Sequence, residues 1–164
     1  AARTIYLNKT CYNGLYRVNN AGQFNAPFGR YANPTICDEP NLRAVSSYLS
    51  ANDVVFSNGD YAALEAHEGD FVYFDPPYDP VNPTSNFTGY QSGGFGRADQ
   101  IRLKETCDEL DARGVKFLLS NSATDFIKEL YADYRIEIVG ATRAVNSVAS
   151  KRGKVNEVLV RNYA

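Results

Sequence analysis

The sequence predicts an α/β fold, in which short apolar strands alternate with helices in the second half of the chain. The apolar run at 71–74, which predicts a strand over 71–75, and the run at 115–119 have the length and composition of buried strands, and a helical pattern follows each of them. Residues 134–139 and 155–160 alternate between apolar and polar side chains, which is typical of antiparallel strands. We therefore expect part of a doubly wound, mostly parallel sheet that ends in an antiparallel hairpin.

The first 34 residues form a different kind of segment, rich in Asn, Gly, Tyr and Arg and without a sustained hydrophobic period. This composition predicts a loop-rich module with one or two short helices or a hairpin. Residues 19–22, Asn-Asn-Ala-Gly, predict a turn between the short segments 16–18 and 23–25.

A helix is predicted near residues 41–51, with Asn41 as its N-cap. Its apolar side chains recur at helical spacing and share one face; they are Leu42, Val45 and Leu49. Residues 54–56, Val-Val-Phe, predict a short strand.

Two further helices are predicted between the strands of the second half. One lies near 98–112, with Asp99 as its cap and Gly114 at its end, and the other begins after Thr124. The inward-facing side chains are expected to be Leu103, Cys107 and Leu110 in the first helix and Phe126, Ile127, Leu130 and Tyr131 in the second. Residues 79–97 form a polar loop that is long enough to act as a lid or a ligand-binding loop.

The four residues Asp75-Pro76-Pro77-Tyr78 directly follow an apolar strand and carry the clearest chemical signal of the chain. The prolines fix φ and remove two backbone donors, so strand pairing ends and the carboxylate and the ring are held at the mouth of the sheet. Open α/β sheets bind ligands at that place. A planar group with an exocyclic amine can stack on Tyr78 and donate to Asp75 and a neighbouring carbonyl. A plain strand-terminating turn is the alternative.

The composition narrows the class of protein. The 164 residues include three cysteines, which are far apart, and one histidine, so neither a structural zinc site nor a disulfide framework is predicted. No segment has the pattern of a signal peptide or a membrane span. We therefore expect a cytoplasmic protein that binds neither a metal nor a membrane. The chain contains no methionine, even at position 1, which favours a fragment or a processed chain over a complete gene product.

Both ends of the chain are basic, although the net charge is -2. Residues 1–34 contain four basic side chains and no acidic one, and residues 143–164 contain five basic side chains and one acidic. This distribution favours a polyanionic partner that meets the ends of the chain. Ordinary surface charge explains it equally well.

Several motifs together resemble one family of enzymes. The segments 7–19, LNKTCYNGLYRVN, and 24–31, FNAPFGRY, resemble the target-recognition segment of adenine-specific DNA methyltransferases of the GATC-methylating D12 class. The same family is matched in the same order by the segments 73–78, 85–90, 119–122 and 154–159. The resemblance covers nearly the whole chain. It implies a target-recognition segment at 1–51 and, at 52–164, a portion of a Rossmann-like methyltransferase domain.

The resemblance implies that a methyl group is transferred from S-adenosylmethionine to N6 of an adenine in double-stranded DNA, with GATC as the leading candidate for the recognition site. Asp75 and the Pro76 carbonyl would accept hydrogen bonds from the two N6 hydrogens, which makes the nitrogen lone pair available for attack. Tyr78 would stack on a base that has been flipped out of the duplex. Pro77 completes the catalytic motif.

Four residues are implied to contact DNA. Tyr12 is suited to wedging into the base stack, Asn13 to a base-edge amide contact, and Arg17 to a bidentate contact with guanine. Arg30 would contact a base or a phosphate. A buried core tyrosine is the alternative for Tyr12.

Three residues are implied to line the cofactor site. Asp60 would accept from the adenine amine of S-adenosylmethionine, Tyr61 would stack on its ring, and Asp75 would lie near its methionine portion. A plain Asn-Gly-Asp turn is the alternative for the segment around Asp60.

The sequence departs from the family in one respect. Family members carry an N-terminal lysine-containing motif and a glycine-rich Phe-x-Gly-x-Gly loop upstream of the recognition segment, and this sequence has neither. We therefore expect a C-terminal fragment that does not methylate DNA alone and binds S-adenosylmethionine weakly or not at all. We also expect an apolar strand edge near 71–75, which favours self-association or pairing with a complementing N-terminal chain. The main alternative function is a non-catalytic, sequence-specific DNA-binding module.

Overall fold

The structure is a computed structural model, which describes residues 1–19, 21–81, 95–142 and 154–164. The chain divides into two compact units, Ala1–Asp60 and Tyr61–Ala164. Within the described ranges, no helix combines the length and the apolar character needed to cross a lipid bilayer.

The first unit consists of two helices and a loop-rich segment between them. Helix α1 spans Ala2–Thr10, a single 3-10 turn spans Tyr12–Gly14, and helix α2 spans Glu39–Ala51. Short antiparallel bridges, rather than strands, organise the segment between the helices. The prediction of a loop-rich module with short helices is confirmed.

The turn predicted around residues 19–22 is present. Val18 and Phe24 form an antiparallel bridge across it, and the Asn19 N–H donates to the Gln23 carbonyl at 2.8 Å. The Asn19 side chain also accepts from the backbone N–H groups of Ala21 and Gln23. An asparagine therefore closes this turn because its amide oxygen takes the place of a backbone acceptor.

Helix α2 begins earlier than predicted, and its cap is Asp38 rather than Asn41. The Asp38 carboxylate accepts from the Asn41 N–H at 3.3 Å. Pro40 is tolerated in the first turn because the N–H groups there have no partner inside the helix. Pro40 is therefore part of the helix.

The strand predicted at residues 54–56 is wrong. The structure has no strand there, and Val55 and Phe56 are 86% and 77% exposed. High β-propensity forms a strand only when a partner is present. Among the described strands, none pairs with this segment.

Within the described residues, the second unit begins with a 3-10 turn at Tyr61–Ala63, and four strands and two α-helices follow it, as the α/β pattern predicts. In chain order they are β1 (Phe71–Phe74), α3 (Arg97–Ala112), β2 (Lys116–Ser122), α4 (Asp125–Leu130), β3 (Arg135–Thr142) and β4 (Lys154–Arg161). The order in the sheet is β1-β2-β4-β3. β1 and β2 are parallel, and the other two described pairings are antiparallel. The predicted terminal hairpin is therefore present as β3 and β4, and the unit is a mixed α/β structure.

The ends of the helices follow local signals in the sequence. Helix α3 begins at Arg97 after the N-cap Gly96, and Asp99 accepts the Gly96 N–H at 2.8 Å from inside the first turn, so Asp99 is not the cap. Gly114 ends the helix with a φ of 72°, a conformation that favours glycine. Thr124 caps α4 as predicted, because its hydroxyl accepts from the Ile127 N–H.

The core of the second unit lies where the two helices cover the sheet. Most of the inward-facing residues predicted from helical spacing are buried there, and Phe126 and Leu130 are partly buried at its edge. The buried side chains include Leu103, Cys107 and Leu110 of α3, Phe117 and Leu119 of β2, Ile127 and Tyr131 at α4, and Val158 and Val160 of β4. This packing fixes the carboxyl ends of β1 and β2.

Candidate active site and recognition segment

The Asp-Pro-Pro-Tyr turn lies at the carboxyl end of the parallel strand pair. β1 ends at Phe74, and its partner β2 continues alongside the residues that follow. Asp75 and Pro77 are exposed, whereas Pro76 and Tyr78 are partly buried. The predicted catalytic residues therefore share one short turn at the end of the sheet where α/β folds bind ligands.

Ser120 of β2 holds the carboxylate of Asp75. Phe74 lies opposite Leu119 in the parallel register, so Ser120 comes next to Asp75. The Ser120 hydroxyl donates to Asp75 Oδ1 at 3.1 Å and accepts from the Tyr73 hydroxyl at 3.0 Å. The sequence indicates Ser120 only as part of a strand end, because no local pattern reveals a partner 45 residues away.

The phenol of Tyr78 is held in its neutral form. Burial raises the pKa of Tyr78 above its ordinary value, and the negative charges of Glu157 and Asp75 act in the same direction. A hydrogen bond with Ser120 lowers this pKa without outweighing the burial. A neutral, partly buried ring beside an exposed carboxylate is suited to stacking on a planar heterocycle.

Two buried amides contact the backbone of the turn. Gln100 of α3 donates from Nε2 to the Pro77 carbonyl at 2.8 Å, and Asn121 of β2 accepts the Asp79 N–H at 2.9 Å. The amides also join each other, since Asn121 Nδ2 donates to Gln100 Oε1 at 3.1 Å. The sequence predicts neither contact, because they connect positions 23 and 42 residues apart.

The loop predicted as a lid or ligand-binding loop is described only at its two ends. Residues 82–94 lie outside the described residues, as does the matching segment 85–90. At the near end, the buried Asp79 carboxylate lies 3.7 Å from Arg97 Nε. Arg97 also lies over the ring of Phe126, at 4.5 Å from its centroid.

In the first unit, Arg17 is held in a defined orientation. Its Nε donates to Asn25 Oδ1 at 2.9 Å, and its terminal nitrogen donates to the Asn25 carbonyl at 3.1 Å. The side chain is exposed and borders an open groove of about 590 Å³, which Arg17 lines with Val18, Asn19, Ala21 and Asn25. No motif in the sequence indicated Asn25 as the partner of Arg17. The predicted turn at 19–22 places the two residues on facing segments, and this placement could have indicated the contact.

Tyr12, Asn13 and Arg30 also lie in the first unit. Tyr12 is 49% exposed, so it is not a buried core tyrosine. Asn13 has a φ of 56°, a left-handed conformation that asparagine tolerates better than most residues. Arg30 is exposed and follows Gly29, where a Cβ atom would approach the ring of Tyr31 to 2.2 Å, so a larger residue at 29 would require this ring to shift.

Asp60 and Tyr61 stand on either side of the division between the units. Asp60 is exposed. Tyr61 is partly buried, its hydroxyl donates to the Asp99 carbonyl at 3.5 Å, and the Arg102 guanidinium lies 4.7 Å from its ring centroid. One face of the ring predicted to stack on adenosine therefore already carries a cation. No cluster of three or more metal-ligating side chains occurs among the described residues.

Comparison with known proteins gives a consistent result. A family model described as D12 class N6 adenine-specific DNA methyltransferase matches residues 1–145. The chain is 47% identical to the type II methyltransferase M1.LlaDCHI of Lactococcus lactis subsp. cremoris, over 99% of this chain and 58% of that protein. It is 48% identical to the type II methyltransferase M.MjaIII of Methanocaldococcus jannaschii, over 99% and 57%. It is 36% identical to the DNA adenine methylase of Escherichia coli K12, over 94% and 55%. The chain thus spans between half and two thirds of the length of these relatives.

Proposed function

The chain belongs to the D12 class N6 adenine-specific DNA methyltransferase family, and from this premise we propose that it supplies the catalytic turn and the DNA-reading segment of an enzyme that methylates N6 of adenine in duplex DNA. The observation that carries the proposal is the Asp75 carboxylate, held by Ser120 at the carboxyl end of β1 beside the neutral ring of Tyr78. We assign target recognition to residues 1–51 and catalysis to 52–164, as part of a doubly wound methyltransferase sheet.

The proposed chemistry follows from the properties of the adenine amine. The N6 lone pair is delocalised into the ring, so the nitrogen is a weak nucleophile. Asp75 and the Pro76 carbonyl accept its two hydrogens and favour the pyramidal geometry in which the lone pair is available. Tyr78 stacks on the flipped base and keeps its amine in line for attack. The carboxylate takes up the proton that N6 loses during or after the transfer.

We propose S-adenosylmethionine as the methyl donor. When bound, it supplies an electrophilic sulfonium methyl group. The exposed carboxylate of Asp60 and the partly buried ring of Tyr61 fit the amine and the ring of its adenosine portion, and Asp75 fits near its methionine portion. These residues offer part of a site, so we propose that the chain alone binds this cofactor weakly or not at all.

The residues of the first unit support DNA recognition. The exposed ring of Tyr12 is suited to wedging between bases. Asn25 fixes Arg17 through Nε and one terminal nitrogen, which leaves a planar guanidinium pre-oriented toward the groove for guanine. Asn13 and Arg30 supply an amide contact and a base or phosphate contact. We propose GATC as the recognition site.

β1 forms one edge of the sheet, at which a further strand can pair. It is a terminal strand among those described, and Phe71 and Tyr73 on it are more than half exposed. An exposed apolar edge favours pairing with a further strand. We propose that this edge pairs with strands of a longer parent protein or, in the isolated chain, with a second copy.

The decisive test of the function is the substitution Asp75→Ala in the shortest form of the protein that supports methyl transfer. We expect turnover on GATC-containing duplexes to fall by about 10²–10³-fold or more, because the main acceptor for the N6 hydrogens is lost. Transfer of a radioactive methyl group to DNA, and its location at N6 by nucleoside analysis, measures this effect.

DNA retention by the Asp75→Ala variant is the internal control, since the recognition residues are intact. Unchanged turnover would show that Asp75 does not have the proposed role. If a form of the protein that binds S-adenosylmethionine retains GATC duplexes selectively but methylates none of them, the chain is a DNA-binding module without catalysis.

A further inference from the structure

We propose that Gln100 and Asn121 are positioning residues for the catalytic turn, acting through the backbone on either side of Tyr78. This proposal rests on the proposed function. Gln100 holds the carbonyl of Pro77, and Asn121 holds the N–H of Asp79. Tyr78 is the single residue between these two anchor points, so the amide pair sets where its ring stands.

The composition of the turn explains why side chains take this role. Three of the five residues 76–80 are prolines and have no backbone N–H. The turn therefore cannot be held by strand pairing, and few of its backbone groups can bond to the sheet. Two amides that reach in from α3 and β2 supply the missing contacts.

The two amides form one connected network. Gln100 is 1% exposed and Asn121 is fully buried. Asn121 Oδ1 accepts from Asp79 N–H and Ser122 N–H, at 2.9 and 2.8 Å, while its Nδ2 donates to Gln100 Oε1 at 3.1 Å. In each side-chain amide the oxygen accepts and the nitrogen donates, so these contacts determine the orientation of both amide groups. Because a buried polar group without a partner is costly, the network admits one arrangement of the turn.

This arrangement has a direct consequence for the chemistry. The carbonyl of Pro76 and the ring of Tyr78 lie in the same short turn as the held groups. A misplacement of about 1 Å in a reacting geometry can lower a rate by about 10²-fold. Gln100 and Asn121 therefore act on turnover while touching neither DNA nor the methyl donor.

The substitution Gln100→Glu tests the proposal in the form of the protein that supports methyl transfer. In its ionised form the new carboxylate can still accept from Asn121, but it places an oxygen instead of an N–H donor against the Pro77 carbonyl. The rates are therefore compared over a range of pH, because a buried carboxyl that keeps its proton can donate to that carbonyl. We expect kcat to fall by about 10–10²-fold, with the KM for DNA unchanged. The matched control is Glu105→Gln at an exposed position of the same helix, for which we expect no change in either constant.

A spectroscopic measurement separates positioning from a loss of folded protein. With 2-aminopurine in place of the target adenine, stacking in the free duplex quenches the fluorescence, and the emission changes when the base leaves the stack. We expect the Gln100→Glu variant to bind this DNA with the same affinity but to give a smaller fluorescence change than the unaltered protein. A fall in kcat that merely follows the folded fraction, or a raised KM at unchanged kcat, overturns the proposal.

The substitution Asn121→Leu tests the positioning role without measuring methyl transfer. If no form of the protein that binds S-adenosylmethionine methylates DNA, the proposed function fails. Hydrogen exchange in the 164-residue chain still decides whether Asn121 holds the turn. We expect the Asp79 amide to exchange at least tenfold faster in Asn121→Leu than in the unaltered chain, while amides in the middle of β4 keep their rates. Equal exchange at Asp79 in both chains overturns the role of Asn121.

Discussion

Ser120 and Ser122 lie two residues apart on β2, and both hydroxyls are buried, but their surroundings differ. Ser120 donates to the Asp75 carboxylate and accepts from Tyr73, whereas the Ser122 hydroxyl has no hydrogen-bond partner in the described parts of the chain. A hydrogen bond to an ionised group contributes about 1.5–3 kcal/mol. The two serines therefore form a natural pair for testing how the catalytic carboxylate is oriented.

We expect Ser120→Ala to lower turnover on DNA by about tenfold or more, because the Asp75 carboxylate loses the donor that fixes one of its oxygens. Ser122→Ala should leave turnover unchanged, since it removes a hydroxyl without a partner. Single-turnover rates of methyl transfer measure both effects. Equal rates in the two variants would show that the contact between Ser120 and Asp75 does not contribute to the reaction.

At the scale of the helices and strands, the sequence predicted correctly those features that depend on neighbouring residues, such as the ends of helices. Gly114 ended α3 and Thr124 capped α4 as expected, because both signals act within one helical turn. The strand predicted at 54–56 failed because a strand depends on a partner that no local pattern reveals. The contacts of Gln100 and Asn121 escaped prediction for the same reason, although the turn that they hold was recognised from its own residues.

Helices α3 and α4 meet at Cys107 and Tyr131, which are both fully buried. Burial raises the pKa of the Cys107 thiol from 9.0 to about 12, although the neighbouring Tyr131 side chain lowers it. The folded state therefore keeps this proton at a pH where the unfolded chain has lost it. The stability that this group contributes is fully present below pH 9 and is lost as the pH rises toward 12.

We expect the free energy of unfolding to fall more steeply between pH 9 and 12 in the unaltered chain than in Cys107→Ala, by up to about 1.4 kcal/mol per pH unit. Urea denaturation of the 164-residue chain at several pH values gives both slopes. The exposed Cys37 is the matched control, and Cys37→Ala should keep the steep slope. Tyr131 and Tyr134 also titrate above their ordinary values, and Cys107 contributes to both shifts, so the difference in slope measures Cys107 together with its effect on these two phenols. Parallel slopes in Cys107→Ala and the unaltered chain would contradict the assignment.

For the molecule as a whole, the two outer strands of the sheet each carry an exposed apolar side chain. Among the described strands, β1 and β3 are the terminal ones. Phe71 of β1 is 56% exposed and packs edge-on against Tyr163, while Ile138 of β3 is 57% exposed. β1 is the strand that leads into the proposed catalytic turn. Pairing of β1 with another strand would therefore stabilise this turn together with the sheet.

We expect the isolated chain to self-associate through β1, and Phe71→Lys to weaken that association at least tenfold, because an edge lysine disfavours strand pairing. The same change on the opposite edge, Ile138→Lys, should leave the association intact if β1 is the edge that pairs. Sedimentation velocity over a range of concentrations measures both effects. Equal weakening by the two substitutions would indicate unspecific apolar contact. A chain that stays monomeric at every concentration would show that β1 is not an open edge.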